Sequence, residues 1–142
     1  MVSGCPCELT LPAIPAAARV ARVHIRYWLD RQAWPPEPRE AIEYAVSEAV
    51  SNVVEHAYPV GSAGATVLLT AEVEVCASGA RRVRVRVSDS GCWRPLATEV
   101  GSRHHGIRLM NGYMDEVVIN RGDGARAGTE VVLLSTAVPP AS

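Results

Sequence analysis

The run from Arg82 to Ser88 constrains the fold of this chain more than any other segment, because three valines alternate there with three arginines. Successive side chains of a β-strand point to opposite faces of the sheet. The valines Val83, Val85 and Val87 therefore face a core, and the arginines Arg82, Arg84 and Arg86 face water. A sheet with one apolar and one charged face is covered on one side only.

The other segments fit a sheet of this kind. Apolar stretches ended by Gly or Pro predict strands, and apolar residues three and four apart predict helices. The predicted strands are Cys7–Leu11, Ala65–Val75, Arg82–Ser88, Glu116–Asn120 and Thr129–Ser135. The predicted helices are Ala16–Arg31, Pro38–His56 and Gly106–Met114. This order predicts a two-layer α/β sandwich with helices on one face of a mixed, mostly antiparallel sheet.

We expect one domain over residues 1–142, with its core at about 8–135. In the first helix, the spacing of Val20, Val23, Tyr27 and Trp28 predicts the buried stripe. The second helix buries an alanine and valine face, and its Glu43 and Glu55 are expected at the surface. We expect the tail from residue 137 to 142 to be frayed. The stretch from residue 89 to 105 lacks periodicity and is expected to be a functional loop.

Composition excludes several functions. All 14 residues counted as Lys or Arg are Arg, so neither a P-loop lysine nor a lysine Schiff base is available. A net charge of −1 gives no basic footprint for nucleic acid. The sequence contains no long apolar stretch that would span a membrane and no signal peptide. We therefore expect a cytoplasmic protein that has reduced cysteines and contacts neither nucleic acid nor membrane.

The second predicted helix carries a polar line at Glu48, Asn52 and His56. Residues four apart share one helix face. Asn is unfavourable inside a helix because its amide competes for backbone hydrogen bonds, so a compensating role is expected for Asn52. The alternative interpretation is that these three residues form the solvated edge of an amphipathic helix.

Three loop features follow along the chain. Asp89 and Gly91 come directly after the alternating strand, where an acid can accept from a ligand and a glycine lets the ligand approach. Arg103 lies in the loop that opens a helix at Gly106, where free backbone N–H groups can bind phosphate. Thr129 opens the last strand after a glycine. Each feature alone is typical of an ordinary turn or helix start.

The order of these four features resembles the N, G1, G2 and G3 boxes of the histidine-kinase-like (GHKL) ATPases. More narrowly, the segment from Glu48 to Tyr58 resembles the N box of the anti-sigma factor serine/threonine kinases. The segments 89–95 and 106–110 resemble their G1 and G2 boxes. The resemblance covers roughly residues 8 to 135 and implies a Bergerat-type ATP-binding fold.

The resemblance also implies roles for individual residues. Asn52 coordinates the Mg²⁺ that bridges the ATP phosphates, and Glu48 is the general base for the substrate serine. Asp89 accepts from the adenine amino group, and Thr129 bonds to the same Asp–adenine system. Gly91 gives room for the purine.

The G2 residues Gly106 and Ile107 supply backbone N–H groups to the phosphates by the same resemblance, and Arg103 adds charge. His56 belongs to the motif, but we expect it to be a structural histidine. The family implies an anti-sigma factor that phosphorylates a STAS-domain antagonist. Its partners are then a sigma factor and that antagonist, and homodimerisation through the sheet and first helix is implied as well.

One departure supports an alternative function. His104 stands where the family's G2 box has its first glycine, so a side chain occupies the bend around the phosphates. The alternative is a module of the same fold that sequesters a sigma factor or antagonist without phosphotransfer. A third hypothesis is a metal or redox module. Its ligands would come from Cys5, Cys7, Cys92, His104 and His105. Only one residue separates Cys5 from Cys7, whereas paired cysteines in zinc sites are usually separated by two to four residues.

Overall fold

The computed structural model describes residues 2–57, 64–89, 112–121 and 129–140. The elements, in chain order, are β1 (Val2–Pro12), α1 (Ala17–Arg31), α2 (Pro36–Ala57), β2 (Thr66–Val75), β3 (Arg81–Asp89), β4 (Glu116–Arg121) and β5 (Thr129–Leu134). Most of the predicted helix Gly106–Met114 and the predicted turn at 122–124 lie outside the described residues.

The strands form one sheet in the order β1-β2-β3-β5-β4, and every pairing between the described strands is antiparallel. The alternating strand β3 lies at the centre. Its Val85 pairs with Ala71 of β2 on one side and with Leu133 of β5 on the other. All of these side chains are buried, as the alternation predicted.

Both described helices cover the valine face of the sheet, which confirms the predicted α/β sandwich. α2 packs on β2, β3 and β5, whereas α1 packs on α2 and β1. The core face of α2 consists of small and branched residues that allow close approach to the sheet. These residues are Ile42, Ala45, Val46, Ala49, Val50 and Val53. Neither helix within the described ranges has an apolar stretch long enough to cross a bilayer.

The arginine face of β3 is occupied by ion pairs. Arg84 Nε donates to Glu74 Oε2 at 2.6 Å, and Arg82 Nε donates to Glu74 Oε1 at 3.3 Å. The hydrogen bond from Arg84 is the main reason that the pKa of Glu74 lies below its ordinary value. Arg86 lies 3.8 Å from Glu130 of β5. Charge on this outer face is therefore matched across the strands.

The predicted buried stripe of α1 is wrong for three of its four residues. Val20, Val23 and Tyr27 are 39%, 46% and 63% exposed, and Trp28 alone of the four is buried. The buried face consists of Ala17, Ala21, Ile25, Trp28 and Leu29. α1 has apolar residues at helical spacing on both faces, so periodicity could not decide which face turns inward. Ala17 and Ala21 on the inner face allow close packing against the neighbouring elements.

Glu43 is buried, which corrects the expectation that it lies at the surface. Its side chain is 5% exposed and accepts from Arg39 Nε at 3.1 Å, one turn earlier in α2. Arg22 of α1 lies 3.7 Å from the same carboxylate, and Arg39 also binds Asp30 at the end of α1 at 2.7 Å. This network joins the two helices. Glu55 is exposed, as predicted.

The tail is docked as far as Val138, which corrects the expectation of a frayed end from residue 137. Val138 is buried and exchanges backbone hydrogen bonds with Arg81 at 2.7 and 2.8 Å. The Arg81 guanidinium lies 4.7 Å from the ring centre of Trp34 and donates to the Gln32 carbonyl at 2.7 Å. Arg81 therefore links the end of the chain to the segment between the helices.

The two faces of α1 give a direct test of its orientation. We expect Ile25→Ala to lower the free energy of unfolding by about 2–5 kcal/mol, because it leaves a cavity in the core. Arg26→Ala on the exposed face is the control and should change it by less than about 0.5 kcal/mol. Urea unfolding followed by circular dichroism measures both. Equal losses would show that α1 is rotated.

Candidate functional site

α2 carries two candidate residues one turn apart. Asn52 is 6% exposed, and its Nδ2 has no hydrogen-bond partner among the described residues. Glu48 is half-buried at the edge of the helix's core face. The backbone of His56 completes the same line, but its side chain lies outside the described residues. Asn52 is therefore not the solvated helix edge that the alternative proposed.

The ends of β3 and β5 bring two further candidates together. Ser88 pairs with Glu130, so Asp89 and Thr129 come next in the same antiparallel register. Both are buried, at 4% and 1% exposure. Burial raises the pKa of the Asp89 carboxyl, and the backbone N–H groups of Asp89 and Thr129 both act to lower it. Two residues that are forty positions apart in the chain thus form one polar unit.

Burial changes the acidity of Asp89. Loss of hydration raises the pKa of its carboxyl above the ordinary value, and the two backbone N–H donors only partly offset this. Its Oδ1 has no hydrogen-bond partner within the described part of the chain. A buried acceptor without a donor is unfavourable unless a ligand supplies the donor.

The two unpartnered groups fit the ligands that the sequence predicted. The Asp89 oxygen suits an N–H donor such as the amino group of adenine. The buried Asn52 Nδ2 is a donor without an acceptor among the described residues, and a phosphate oxygen would satisfy it. The two groups therefore fit a nucleotide, and coordination of Mg²⁺ by the neutral oxygen of Asn52 stays a prediction.

Four predicted site residues lie outside the described residues. They are Gly91, Arg103, Gly106 and Ile107, all between positions 90 and 111. His104, which departs from the G2 pattern, lies in the same range. Their predicted contacts with purine and phosphate stay predictions.

Sequence reasoning missed Tyr44. Burial and the negative charge of Glu48, one turn later in α2, raise the pKa of its phenol. Its ring lies 4.9 Å from that of Tyr113, measured between ring centres, with an angle of 56° between the planes. The available signal was the spacing, because Tyr44 precedes Glu48 by the same four residues that separate Glu48 from Asn52.

The metal or redox hypothesis finds no cluster in the part of the chain that is described. No group of three or more His, Cys, Asp or Glu side chains lies close enough there to hold a metal ion. Cys5 and Cys7 both lie in β1 and are free thiols. Cys92, His104 and His105 lie outside the described residues.

Comparison with known proteins adds a family and two structures. The family model for the histidine kinase-like ATPase domain matches residues 11–134. A solved structure of the RsbU and RsbW domains of Rv1364c from Mycobacterium tuberculosis is 29% identical, with a TM-score of 0.66 over 97% of this chain. The match spans 34% of that solved chain.

The second structure is the histidine kinase domain of the blue-light activated histidine kinase from Erythrobacter litoralis EL346. It is 24% identical, with a TM-score of 0.43, and the match covers 70% of this chain and 46% of that one. At that overlap it supports no conclusion.

The buried carboxyl of Asp89 predicts a pH-dependent stability difference. A raised pKa means that the folded state binds this proton more tightly than the unfolded state. The ionised carboxylate therefore costs stability increasingly as the pH rises from about 4. We expect the stability of Asp89→Asn relative to the parent to increase as the pH rises from about 4, and the difference to stay constant at higher pH.

Thermal unfolding without nucleotide at a series of pH values measures this difference. Asp115→Asn, which removes an exposed carboxyl, is the control. An Asp89→Asn variant that is less stable than the parent at neutral pH would contradict the account.

Proposed function

Because the chain belongs to the histidine kinase-like ATPase family, we propose that it is an ATP-dependent serine/threonine kinase that also acts as an anti-sigma factor. The observation that carries the proposal is the pair of buried polar groups, on Asn52 and Asp89, that lack partners among the described residues. A family of ATP-binding domains gives these groups a ligand. The likeness to a structure of RsbU and RsbW domains supports the narrower kinase function.

Asp89 and Thr129 form the adenine end of the proposed site. Asp89 accepts from the adenine amino group, and the Thr129 N–H holds the carboxylate in place for it. Gly91 leaves room for the purine. The Asp89 carboxylate is buried and accepts a hydrogen bond. It therefore discriminates adenine, which has an amino group at that position, from guanine, which has a carbonyl and no donor there.

At the phosphate end of the proposed site, Asn52 would hold a Mg²⁺ ion, which would supply positive charge to neutralise the phosphates. The N–H groups of Gly106 and Ile107 and the side chain of Arg103 contact the phosphates. These residues position the γ-phosphate for attack by a serine hydroxyl.

Glu48 is the proposed general base. Its carboxylate takes the proton of the serine hydroxyl as the serine oxygen bonds to the γ-phosphorus. The bond between that phosphorus and the β–γ bridging oxygen breaks, and ADP leaves with the electron pair. The proton on Glu48 then returns to solvent.

The proposed partners are a sigma factor and a STAS-domain antagonist whose serine is phosphorylated. The dephosphorylated antagonist displaces the sigma factor, so phosphotransfer controls which partner is bound. A homodimer is also proposed, and the exposed apolar side chains of Val20, Val23 and Tyr27 on α1 support a contact surface there. We propose a cytoplasmic location, where a sigma factor acts.

His104 favours a second candidate function. A histidine where the G2 glycine is usual leaves less room for the backbone to bend around phosphate. In this alternative the domain sequesters a sigma factor or antagonist without phosphotransfer. The two functions differ in whether Mg-ATP labels the antagonist.

Asn52→Ala tests the nucleotide site. We expect it to abolish binding of Mg-ATP and Mg-ADP, because the buried amide that holds the metal ion is lost. Calorimetric titration of the purified protein measures the affinity. Asn120→Ala is the matched control, since Asn120 lies on β4 and donates to Glu130, and it should bind like the parent. If Asn52→Ala binds nucleotide unchanged, the site assignment is wrong.

Glu48→Gln tests the proposed base. We expect nucleotide affinity to stay the same and the phosphotransfer rate to fall by about 10²–10⁴-fold, because the amide cannot take the proton. Transfer from labelled ATP to a STAS-domain antagonist of the same organism measures the rate. Glu55→Gln, on the exposed face of the same helix, is the control. A parent that binds ATP but labels no antagonist supports the sequestering module instead.

A further inference from the structure

We propose that a groove beside α2 is the docking site for an arginine-bearing segment of the protein substrate. This inference rests on the kinase function proposed above. The groove is bordered by α1, by the first half of α2 and by the residues that precede β4, and it holds about 410 Å³. Its lining residues are Arg22, Glu37, Glu40, Ala41, Tyr44 and Tyr113.

The first argument is the charge of the groove. Glu37 and Glu40 are both exposed, and neither forms an ion pair with another residue in the described part of the chain. Arg22 is the one cation among the six lining residues, and it lies 3.7 Å from the buried carboxylate of Glu43. The lining therefore presents two carboxylates whose charge is unmatched, and a basic side chain complements them.

The second argument is the aromatic pair in the same lining. The ring centres of Tyr44 and Tyr113 lie 4.9 Å apart, and Tyr113 is 45% exposed, so part of its ring is open to a partner. A guanidinium group stacks on aromatic rings and also binds carboxylates through its planar fork of donors. An ammonium group has no such plane. Arginine therefore fits the acidic and the aromatic parts of the groove together.

The third argument is the position of the groove relative to Glu48. Residues three and four apart share a helix face, and Glu37, Ala41, Tyr44 and Glu48 follow one another at these spacings on α2. The groove therefore runs along the helix towards the proposed base. At a rise of about 1.5 Å per residue, Glu40 and Glu48 are about 12 Å apart along the helix axis. A segment docked in the groove thus belongs to the protein whose serine reaches Glu48.

A binding experiment tests the groove without phosphotransfer. The double variant Glu37→Gln/Glu40→Gln removes both carboxylates and keeps the size of the side chains. A STAS-domain antagonist of the same organism is titrated calorimetrically into the protein with Mg-ADP, so that no phosphate can be transferred. We expect its Kd to rise about 10-fold, and the difference from the parent to shrink at high salt, because salt screens exposed charges.

The matched control is the double variant Glu8→Gln/Glu116→Gln. It makes the same change of net charge at exposed positions on β1 and β4, outside the groove, and should bind the antagonist like the parent. An antagonist affinity that is the same in both double variants would overturn the proposal.

A charge swap tests the chemistry of the partner. Arginines on the surface of the antagonist are changed to glutamate one at a time, and each variant is titrated against the parent and against Glu40→Arg. We expect one change to weaken binding to the parent about 10-fold and to restore binding to Glu40→Arg, because the pair is again opposite in charge. That arginine should lie about 12 Å from the phosphorylated serine. If no arginine shows this coupling, the proposal is wrong.

Kinetics separate this inference from the proposed function. We expect Glu37→Gln/Glu40→Gln to raise KM for the antagonist, with kcat and the affinity for Mg-ATP unchanged, because only docking is lost. A lower kcat at saturating antagonist would contradict a docking role. Weaker binding of a sigma factor with unchanged antagonist affinity would assign the groove to the sigma factor and overturn the inference. A parent that binds the antagonist through the groove but transfers no phosphate would overturn the kinase function and leave the docking site in place.

Discussion

The packing of α2 against the central strands β3 and β5 is the contact on which the rest of the structure depends. α2 presents alanines and valines to the sheet, and β3 presents Val83, Val85 and Val87. The same helix carries Glu48 and Asn52 on the border of that face, and the same strands end at Asp89 and Thr129. Burial of the apolar surface therefore fixes both halves of the proposed site at once.

This arrangement also explains why the domain can hold polar groups that lack partners. Asn52 and the Asp89 carboxylate are both buried, and each has an atom without a hydrogen-bond partner among the described residues. Such groups destabilise the fold unless a ligand satisfies them. The surrounding core offsets the cost, and the groups are then held in place for the proposed nucleotide. Stability and proposed function are in conflict at Asp89, because the residue proposed to bind adenine is also the one whose ionised form the fold disfavours.

Interactions of charged side chains join parts of the structure that the apolar core does not connect. Glu43 binds Arg39 and Arg22 and so joins α2 to α1, and Arg81 links the chain's end to Trp34 and Gln32. On the outer face of the sheet, Glu74 is shared by Arg82 and Arg84. These ion pairs let a strand of alternating Arg and Val lie at the centre of an open sheet without leaving its outer face unmatched.

The sequence by itself determined the type and order of the described elements, because alternation at period two is typical of a strand in β3 and helical spacing is typical of a helix in α2. It also singled out Asn52 and Asp89, since a polar residue inside an apolar helix and an acid at a strand end are local signals.

Three features had no such local signal: the buried face of α1, the burial of Glu43 and the docking of Val138. α1 has apolar residues on two faces, and Glu43 needs arginines from both helices. Val138 needs an edge that Arg81 supplies from more than fifty residues away. The ring contact of Tyr44 on α2 with Tyr113 joins residues far apart in the chain, so only the tertiary structure decided it.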